Sequence, residues 1–450
     1  MKVVVYGTSS SVGFIRFVNE FTAIPNMNEQ WQRIRKHFDG YEFTIVTTMG
    51  AASHLVDYDE NKKEIAPDGV KLIVLLPTAD TDTYVETIRK EAPSIAIAAS
   101  YFGGSVDWET LKDALIAEEL KKVGIKAVSN SLFAAETFFD KWTTHNVLTE
   151  KGFPVAKATH IPAVYQKLAK ENPALFSNVY LDLAFHRIRE MEFPVIVKAA
   201  GASGSSGIFV AKNFEEAKED ILSRDDSSDL IIEEMLKGEQ FGTEIHGTKG
   251  NYTILPPFKC KLDERGVLDP QIKVKIGPIT DEKYRIEELR SMLRRLAEEM
   301  GIEGCAQVDL AFDGDKWSII EVNPRISGMT AASAALESRY ALEVVIESCL
   351  DEGINYDMPK ILEKCISFGT IIESYDDIDK MKTEPHVKYM EKGSPLFLNS
   401  DKKIYTANII LGGFENYAEM AQEIERLHKF YPTVINELTV LYAKEIANHN

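Results

Sequence analysis

The chain is short of cysteine and of positive charge, and it has no long apolar run. Its four cysteines show neither paired metal-site spacing nor a dense disulfide framework, so we expect a reducing, cytoplasmic environment. A formal net charge of −19 argues against a general nucleic-acid or anionic-membrane surface, because both partners would repel the protein. Since no apolar run approaches membrane-spanning length, we expect neither a membrane anchor nor a signal peptide.

What is present is an ordinary globular composition, with 450 residues, 44% hydrophobic and 27% charged. That length is enough for about three domains. In the amino-terminal third, apolar runs at residues 3–6, 43–46, 72–76 and 95–98 predict the strands of an α/β layer. Dinucleotide binding is disfavoured there, because the loop at 7–13 lacks the G-x-G-x-x-G spacing that lets backbone approach a pyrophosphate.

Acidic residues follow a strand-like pattern between residues 306 and 323, and they predict a metal site on a β-hairpin. If residues 313–315 form the loop, Phe312 pairs with Lys316 and Asp309 pairs with Ile319. Asp309, Glu321 and Asn323 then share one face of the hairpin, as hard-cation ligands require. A two-residue loop would place the acids on opposite faces, and the simpler alternative is a hairpin whose acids are only solvated.

Two lysines upstream predict a phosphate site. Residues 193–198 form a β-branched run that ends in Lys198, and a loop of glycine, alanine and serine follows at 199–207. Such a loop can bring backbone N–H groups and hydroxyls to an anion while the lysine supplies a point charge. Lys141 begins a helix-like segment and is the second candidate cation. Taken singly, the loop is equally typical of a flexible hairpin tip, and Lys141 of a surface lysine.

Together these segments resemble the ATP-grasp superfamily of carboxylate–amine ligases, which includes L-amino-acid ligases, D-alanine–D-alanine ligases and biotin carboxylases. The resemblance spans roughly residues 139–329. It depends on five segments that occur in the order of that family, at residues 140–141, 193–207, 232–236, 307–309 and 321–325. It implies an ATP-grasp fold of the α/β and α+β class, with an amino-terminal Rossmann-like pre-ATP-grasp domain and a small carboxy-terminal lobe. The predicted domains are residues 1–135, 136–238, 239–355 and 356–450.

The resemblance also implies roles for individual residues. ATP would be held by Lys141, Lys198, Ser205, Gly207, Glu233, Glu234, Leu236, Gln240 and Lys259. Mg²⁺, for which Mn²⁺ can substitute, would be held by Asp309, Glu321 and Asn323. The catalytic residues would be Arg325, Lys198 and Gly328.

This sequence also departs from the family pattern. Ala199 stands where a proline usually follows the strand lysine, and the acid expected at the ribose falls on Gln240, with Glu239 one residue early. The connector at residues 162–191 is long and helix-like, with no role that the sequence assigns. Histidines such as His145 and His246 lack metal-ligand spacing and are interpreted as surface or core residues.

Three functions from different classes remain open. The first is an ATP-dependent ligase that converts a carboxylate to an acyl phosphate and joins it to an amine, with amino acids as the expected substrates and a homodimer as the expected assembly. The second uses bicarbonate, as carbamoyl-phosphate synthetases and biotin carboxylases do. It is disfavoured because residues 258–266 differ from the corresponding strand of biotin carboxylases. The third is a nucleotide-binding regulatory module without turnover, which the complete set of phosphate and metal residues disfavours.

Overall fold

Three sheets of four or more strands organise the chain in a computed structural model. It describes residues 1–8, 23–24, 26–49, 54–61, 63–101, 108–171, 179–201, 207–224, 228–268, 272–350, 362–398 and 402–449. The strands are β1 Lys2–Tyr6, β2 Ala23–Ile24, β3 Glu42–Thr48, β4 Asp57–Tyr58, β5 Glu64–Ile65, β6 Lys71–Leu75, β7 Ile95–Ala98, β8 Ala127–Val128, β9 Ala158–Ile161, β10 Val195–Ala199, β11 Phe209–Ala211, β12 Leu230–Glu234, β13 Glu239–Thr248, β14 Asn251–Ile254, β15 Phe258–Cys260, β16 Lys275–Gly277, β17 Gly304–Phe312, β18 Trp317–Asn323, β19 Lys364–Ile372, β20 Val387–Leu398 and β21 Lys402–Phe414.

Helices surround these sheets, and several begin at a side chain that caps the free backbone N–H groups of the first turn. They are α1 Met27–His37, α2 Thr81–Glu91, α3 Trp108–Lys122, α4 Leu132–Phe139, α5 Lys141–Glu150, α6 Ala163–Glu171, α7 Val179–Arg189, α8 Phe214–Ser223, α9 Ile286–Met300, α10 Gly328–Ala335, α11 Ala341–Leu350, α12 Asp376–Met381, α13 Tyr417–Phe430 and α14 Glu437–His449, with a 3₁₀ turn at Glu282–Tyr284. None of the described helices is long and apolar enough to cross a bilayer.

The amino-terminal sheet has five parallel strands in the order β6-β3-β1-β7-β8. The central strand β1 is apolar along its length because both faces of the sheet are covered, and its residues Val3 to Tyr6 are all buried. The α/β layer predicted from the apolar runs is therefore confirmed.

A smaller antiparallel sheet, β11-β10-β12-β9, carries Lys198 on its strand β10. Helix α7 lies in the long connector at 162–191, and its Leu181, Phe185 and Ile188 pack into the same core as Val195 and Val197 of β10. This segment therefore supplies part of the hydrophobic core of the small sheet.

The large sheet has ten strands, in the order β18-β17-β13-β15-β16-β19-β21-β20-β2, with β14 paired to β13. Helix α9 covers one part of it through Leu289, Leu293 and Leu296, as its helical spacing predicts. The carboxy-terminal strands β19 to β21 continue this sheet instead of forming one of their own. The predicted domain bounds stay predictions, and the last two predicted domains share one sheet.

Candidate active site

The β17–β18 hairpin carries the two predicted metal-binding acids, but its register differs from the predicted one. Phe312 pairs with Trp317, not with Lys316, so the loop spans residues 313–316. The predicted pairing of Asp309 with Ile319 is also wrong, because Leu310 pairs with Ile319 and Asp309 pairs with Glu321. The physical reason is that Asp313 Oδ1 accepts bonds from the Asp315 and Lys316 N–H groups, at 2.9 Å each, which keeps Lys316 in the turn.

A β-bulge in strand β18 places Asp309 and Glu321 on the same face of the hairpin, although the register differs from the predicted one. The register shifts between Asp309 and Leu310, which leaves Ile320 as an extra residue in β18. Without it, Asp309 would face Ile320, and the Glu321 side chain would project from the opposite face. With it, Asp309 and Glu321 are direct cross-strand partners and Asn323 lies opposite Gln307. The predicted common face of Asp309, Glu321 and Asn323 is confirmed.

Lys141 and Lys198 meet this hairpin from two other elements. Lys141 begins α5, and its Nζ lies 3.1 Å from Glu321 Oε1. Lys198 Nζ lies 2.6 Å from Glu233 Oε2 on the neighbouring strand β12. Burial would lower the pKa of Lys198, but Glu233 and Glu321 outweigh it and raise the pKa. Burial would likewise raise the pKa of Glu321, but Lys141 and Lys198 hold it low. Both groups are therefore charged.

Lys275 is a site residue that the sequence did not reveal. It lies on β16, and its Nζ is 3.6 Å from Asp309 Oδ1, which also accepts a 3.0 Å bond from Gln307 Nε2. Burial would lower the pKa of Lys275, but Asp309 outweighs this effect and raises it. The alternating pattern of residues 273–276 predicts a strand, but nothing in one sequence shows that this strand reaches Asp309.

The turn after β18 brings Arg325 to the same place. Arg325 Nη2 donates to Asn323 Oδ1 at 3.3 Å, and the Arg325 N–H donates to the Asn323 carbonyl at 2.9 Å. Ser327 then caps α10, since its Oγ accepts from the Met329 N–H. Gly328 is the first residue of that helix, and it lines the same cavity as Arg325.

Buried Glu244 holds this turn in place, and it is a second residue that sequence reasoning missed. Ser327 Oγ and Thr330 Oγ1 donate to Glu244 Oε1 at 3.1 and 2.8 Å. His246 Nε2 lies 2.6 Å from Glu244 Oε2, so this buried carboxylate has partners on both oxygens. His246 is thereby a core residue, as interpreted from the sequence.

Three adjoining cavities meet at Glu321. The hinge cavity is lined by Phe138, Lys141, His145, Leu148, Val155, Ile196, Lys198, Glu233, Glu234, Met235, Leu236, Gln240 and Ile319–Val322 among others. The loop cavity shares Lys141, Lys198, Glu233, Gln240 and Glu321 with it and adds Gly207, Arg265 and Asp309. The sheet cavity, of about 290 Å³, contains Asp309, Glu321, Asn323, Arg325, Gly328 and Lys275. A continuous channel therefore runs past the acids.

Two backbone N–H groups of the hinge after β12 are already bonded within the protein. The Glu234 N–H donates to the Lys157 carbonyl at 2.9 Å, and the Met235 N–H donates to the Pro194 carbonyl at 3.0 Å. The Glu234 carboxylate accepts from the Glu192 N–H at 2.9 Å. Its side chain is thus engaged with the small sheet, while Leu236 lines the hinge cavity.

The remaining predicted nucleotide residues divide into three groups. Gln240 lines the hinge and loop cavities and donates to the Gly266 carbonyl at 3.1 Å. Lys259 forms an ion pair with Glu239 and lines none of the three cavities. Gly207 lines the loop cavity, whereas Ser205 lies outside the described residues. The structure therefore does not bring Lys259 to the site. Lys259 pairs with Phe241 of β13, whereas Asp309 pairs with the next residue, Gly242, so Lys259 and Asp309 lie on opposite faces of the sheet.

The donor set fits a hard cation that arrives with phosphate. Among the described residues, no three or more His, Cys, Asp and Glu side chains come together as a metal site. Asp309 and Glu321 nevertheless face each other directly, and Asn323 adds an amide oxygen nearby. Mg²⁺ is commonly held by one or two carboxylates together with substrate phosphates, so two acids suffice. Burial raises the pKa of Asp309, Lys275 opposes the rise and Glu321 adds to it.

Comparison with known proteins identifies the class to which this arrangement corresponds. Residues 139–329 match the model of the ATP-grasp domain. These residues include Lys141, Lys198, Asp309, Glu321 and Arg325, so the acids and cations at the meeting point of the cavities lie within the matched segment, while Tyr101 and residues between 367 and 410 complete the sheet cavity. The chain contains an ATP-grasp domain, and the resemblance inferred from the five segments is confirmed.

Particular relatives extend this finding. The chain is similar to a carbamoyl-phosphate synthase of Methanobrevibacter smithii, with 26% identity over 240 residues, covering 52% of this chain and 59% of that protein. It is also similar to a D-alanine–D-alanine ligase of Buchnera aphidicola, with 26% identity over 230 residues, covering 49% and 70%. A crystal structure of an L-amino acid ligase from Bacillus licheniformis shares the fold at a TM-score of 0.63 and 15% identity, covering 95% of this chain and 97% of that one. The ATP-grasp fold is thus confirmed along nearly the whole chain.

Proposed function

We propose that this protein is an ATP-dependent ligase that phosphorylates a carboxylate and joins it to an amine. The observation that carries the proposal is the pairing of Asp309 with Glu321 through the bulge at Ile320, between Lys141 on one side and Lys275 on the other. Two carboxylates flanked by cations at the meeting point of three cavities suit a triphosphate with Mg²⁺.

In this proposal the hinge cavity receives the base of ATP, and Lys141 and Lys198 bind its phosphates. Mg²⁺, held by Asp309, Glu321 and Asn323, supplies neutralisation of charge on the phosphate oxygens. Lys198 shares its charge with Glu233 and can turn to phosphate oxygens that are stronger acceptors. Both lysines thereby orient the terminal phosphate toward the sheet cavity.

Arg325 then holds the carboxylate that attacks this phosphate. A carboxylate repels nucleophiles, so its conversion to an acyl phosphate provides an electrophile with a good leaving group. The carboxylate oxygen attacks the terminal phosphorus, and the P–O bond to ADP breaks. The neutral amine then attacks the acyl carbon, the C–O bond to phosphate breaks, and the nitrogen loses a proton to solvent as ADP and phosphate are released. The protein assists by positioning and by charge, and no side chain forms a covalent intermediate.

The size of the sheet cavity favours an organic substrate over bicarbonate. Its volume of about 290 Å³ lies near the lower end of the range of small-molecule sites, whereas bicarbonate has only four heavy atoms. Aromatic and apolar residues such as Tyr101, Met329 and Phe368 line part of it, and bicarbonate would leave them without contact. An acid and an amine of amino-acid size fill such a space.

The proposal is tested by phosphate release from Mg-ATP with pairs of amino acids, and with bicarbonate plus ammonium as the alternative. We expect release with at least one amino-acid pair, and a loss of at least about 100-fold in Glu321→Gln, since one metal ligand and the counter-ion of Lys141 are removed. The exposed Glu415→Gln is the charge-matched control. Release that depends on bicarbonate and no organic acid would contradict the proposal.

A further inference from the structure

Two rows of side chains on the large sheet form the floor of the sheet cavity. In the first row, Lys275, Ser367, Ile410 and Tyr389 are successive cross-strand partners on β16, β19, β21 and β20. In the second row, Gly369, Asn408 and Glu391 are partners on β19, β21 and β20. All seven residues line the cavity. Because cross-strand partners share a face, the floor presents Lys275 near one end and Glu391 near the other.

Glu391 is a buried carboxyl group with little to satisfy it. It is 3% exposed, and the hydrogen bond that it accepts from Asn408 Nδ2, at 3.3 Å, is long. Within the described part of the chain, no lysine, arginine or histidine forms an ion pair with it. Burial raises its pKa to about 7. A buried carboxylate without a cation is costly unless it is protonated, so a cation brought by a ligand would stabilise its charged form.

The contrast with Glu244 shows that Glu391 is not a structural acid of the same kind. Glu244 is fully buried, but hydroxyl groups of Ser327 and Thr330 and the ring of His246 occupy both of its oxygens. Glu391 instead lies at a cavity wall, with the amide of Asn408 on one oxygen. Its remaining capacity for hydrogen bonds is directed at whatever occupies the cavity.

Charge elsewhere in the cavity is opposite in sign. Lys275 and Arg325 lie on the side of the hairpin, where Asp309 and Glu321 are assigned to the metal. Lys273 also lines the cavity, next to Ile272, whose carbonyl accepts from the Gly369 N–H, but it forms no ion pair with Glu391 within the described residues. Tyr101 lies within range of charges at both ends of the cavity, because burial and the negative charge of Glu391 raise the pKa of its hydroxyl while Arg325 lowers it. The occupant that complements this cavity has a negative group at the arginine end and a positive group at the Glu391 end.

We propose that Glu391 binds the ammonium group of an amino-acid substrate whose carboxylate lies at Arg325. Asn408 orients the Glu391 carboxylate, and the apolar surface of Met329, Phe368 and Ile410 contacts the substrate side chain. An ammonium at Glu391 stays protonated and therefore is not a nucleophile, so the amino acid reacts through its carboxylate. This inference rests on the proposed ligase function only for the fate of that carboxylate, because binding itself needs no turnover.

Binding is measured by thermal shift and calorimetry with Mg-ADP present, using the twenty standard amino acids and, for each, the acid in which hydrogen replaces the amino group. We expect at least one amino acid to bind the wild type, and its des-amino counterpart to bind at least about 10-fold more weakly, since hydrogen bonds to charged groups have that worth. Glu391→Gln, which preserves shape and the bond to Asn408, should weaken the same amino acid about 10-fold or more and leave Mg-ADP affinity unchanged.

Two control variants show whether the loss of affinity belongs to the Glu391 carboxylate itself. Exposed Glu415→Gln removes the same charge from the surface and should change nothing. Asn408→Ala should weaken the amino acid less than Glu391→Gln does, because Asn408 acts only by positioning the carboxylate. The proposal is overturned if no amino acid binds the wild type, if the des-amino acids bind equally well, or if Glu391→Gln binds as the wild type does. Amino-acid binding without phosphate release would instead overturn the ligase function and leave this assignment intact.

Discussion

Asp113 is a buried carboxyl group that belongs to the amino-terminal layer and not to the channel. Its Oδ1 accepts bonds from Thr8 Oγ1 at 2.8 Å and from Ser100 Oγ at 2.9 Å. Thr8 follows β1 and Ser100 follows β7, so the acid ties together two neighbouring strand ends. Burial nevertheless dominates and raises the pKa of Asp113 to about 7.

The raised pKa of Asp113 determines the direction in which the stability of the protein changes with pH. Between the pKa of an unfolded aspartate, about 4, and the folded value of about 7, the folded protein binds more protons, so stability falls as pH rises. We expect Asp113→Asn to remove a decline of roughly 2–4 kcal/mol over that range and to be at least as stable as the wild type at pH 8. Urea unfolding at several pH values measures this.

Exposed Asp39→Asn serves as the control for Asp113→Asn and should leave the pH profile unchanged. Glu391 titrates in the same range, so the comparison is the difference between variant and wild type at each pH. A difference that does not vary with pH would show that Asp113 is ionised throughout, held by its two hydroxyl donors.

The channel residues that lie within the five motif segments were accessible to sequence reasoning, whereas their partners were not. Lys141, Lys198, Asp309 and Glu321 stand in or next to strands and helices that composition indicates. Lys275 and Glu391 come from strands that are remote in sequence, and only the strand order of the large sheet brings them to the cavity. One unaligned sequence can indicate a local hairpin, but it contains no information about which strands that are distant in the chain pair.

At the scale of elements, the hairpin β17–β18 did contain a signal that period-two reasoning overlooked. Trp317, Ile319 and Val322 all belong to the same hydrophobic core. The first two are two residues apart and the last two are three apart, which a regular strand cannot place on one face. This break in the two-residue spacing is what an extra residue at Ile320 produces. The predicted register was wrong because it assumed a regular strand without a bulge.

Deletion of Ile320 tests the role of the bulge. Because Ile320 is the unpaired residue, its removal closes the ladder into a regular one in which Leu310 still pairs with Ile319 and Asp309 still pairs with Glu321. The two acids then keep their shared face, so we expect phosphate release to fall much less than in Glu321→Gln, with the loss limited to the Ile320 side chain that lines the hinge and loop cavities. Ile320→Val keeps the residue count and the β-branched shape, and should cost at most about 1 kcal/mol of stability, since Ile320 is only half-buried. A loss in the deletion variant as large as that of Glu321→Gln would show that the bulge itself, and not only the shared face, positions Glu321.

At the scale of the whole molecule, the amino-terminal layer and the hairpin are packed as one body. Val3, Val5 and Ile97 of the parallel sheet share a core with Cys305 of β17 and Ile326 of the turn beside Arg325. Asn130, just after β8, spans the junction: its Nδ2 donates to the carbonyls of Cys305 and Pro324, at 3.1 and 2.9 Å, and its Oδ1 accepts from the Glu303 N–H. The arginine turn is therefore anchored from outside its own domain.

The variant Asn130→Ala tests whether Asn130 holds the turn that carries Arg325. It leaves two carbonyls and one N–H without their partner in a buried place, and we expect a loss of about 2–4 kcal/mol in the free energy of unfolding. Because the Pro324 carbonyl precedes Arg325, we also expect a higher KM for the carboxylate substrate. Asn130→Asp keeps the acceptor for the Glu303 N–H but turns a second oxygen toward the two carbonyls, so it should cost at least as much stability as Asn130→Ala. Unfolding experiments and phosphate-release kinetics measure the two changes, and an unaltered KM would show that the turn holds its shape alone.

Element order was the part of the whole fold most open to prediction. The parallel layer, the helix α9 and the strands β19 and β21 correspond to periodic segments of the sequence. The union of β13 to β21 in one sheet was not predicted, since β16 joins β19 across residues 278–363, and local pattern does not encode such a long-range pairing.

The lysine pairing of the site has a consequence for how ligands enter. Glu321, Glu233 and Asp309 each have an ammonium group of the protein as counter-ion in the channel. A lone divalent ion arriving there meets carboxylates that are already neutralised, while a lone triphosphate meets lysines whose charge is already shared. When the metal and the triphosphate arrive as one complex, the carboxylates can bind the metal while the lysines bind the phosphates. The ion pairs of the empty site therefore favour the complex over the free metal and over the free triphosphate.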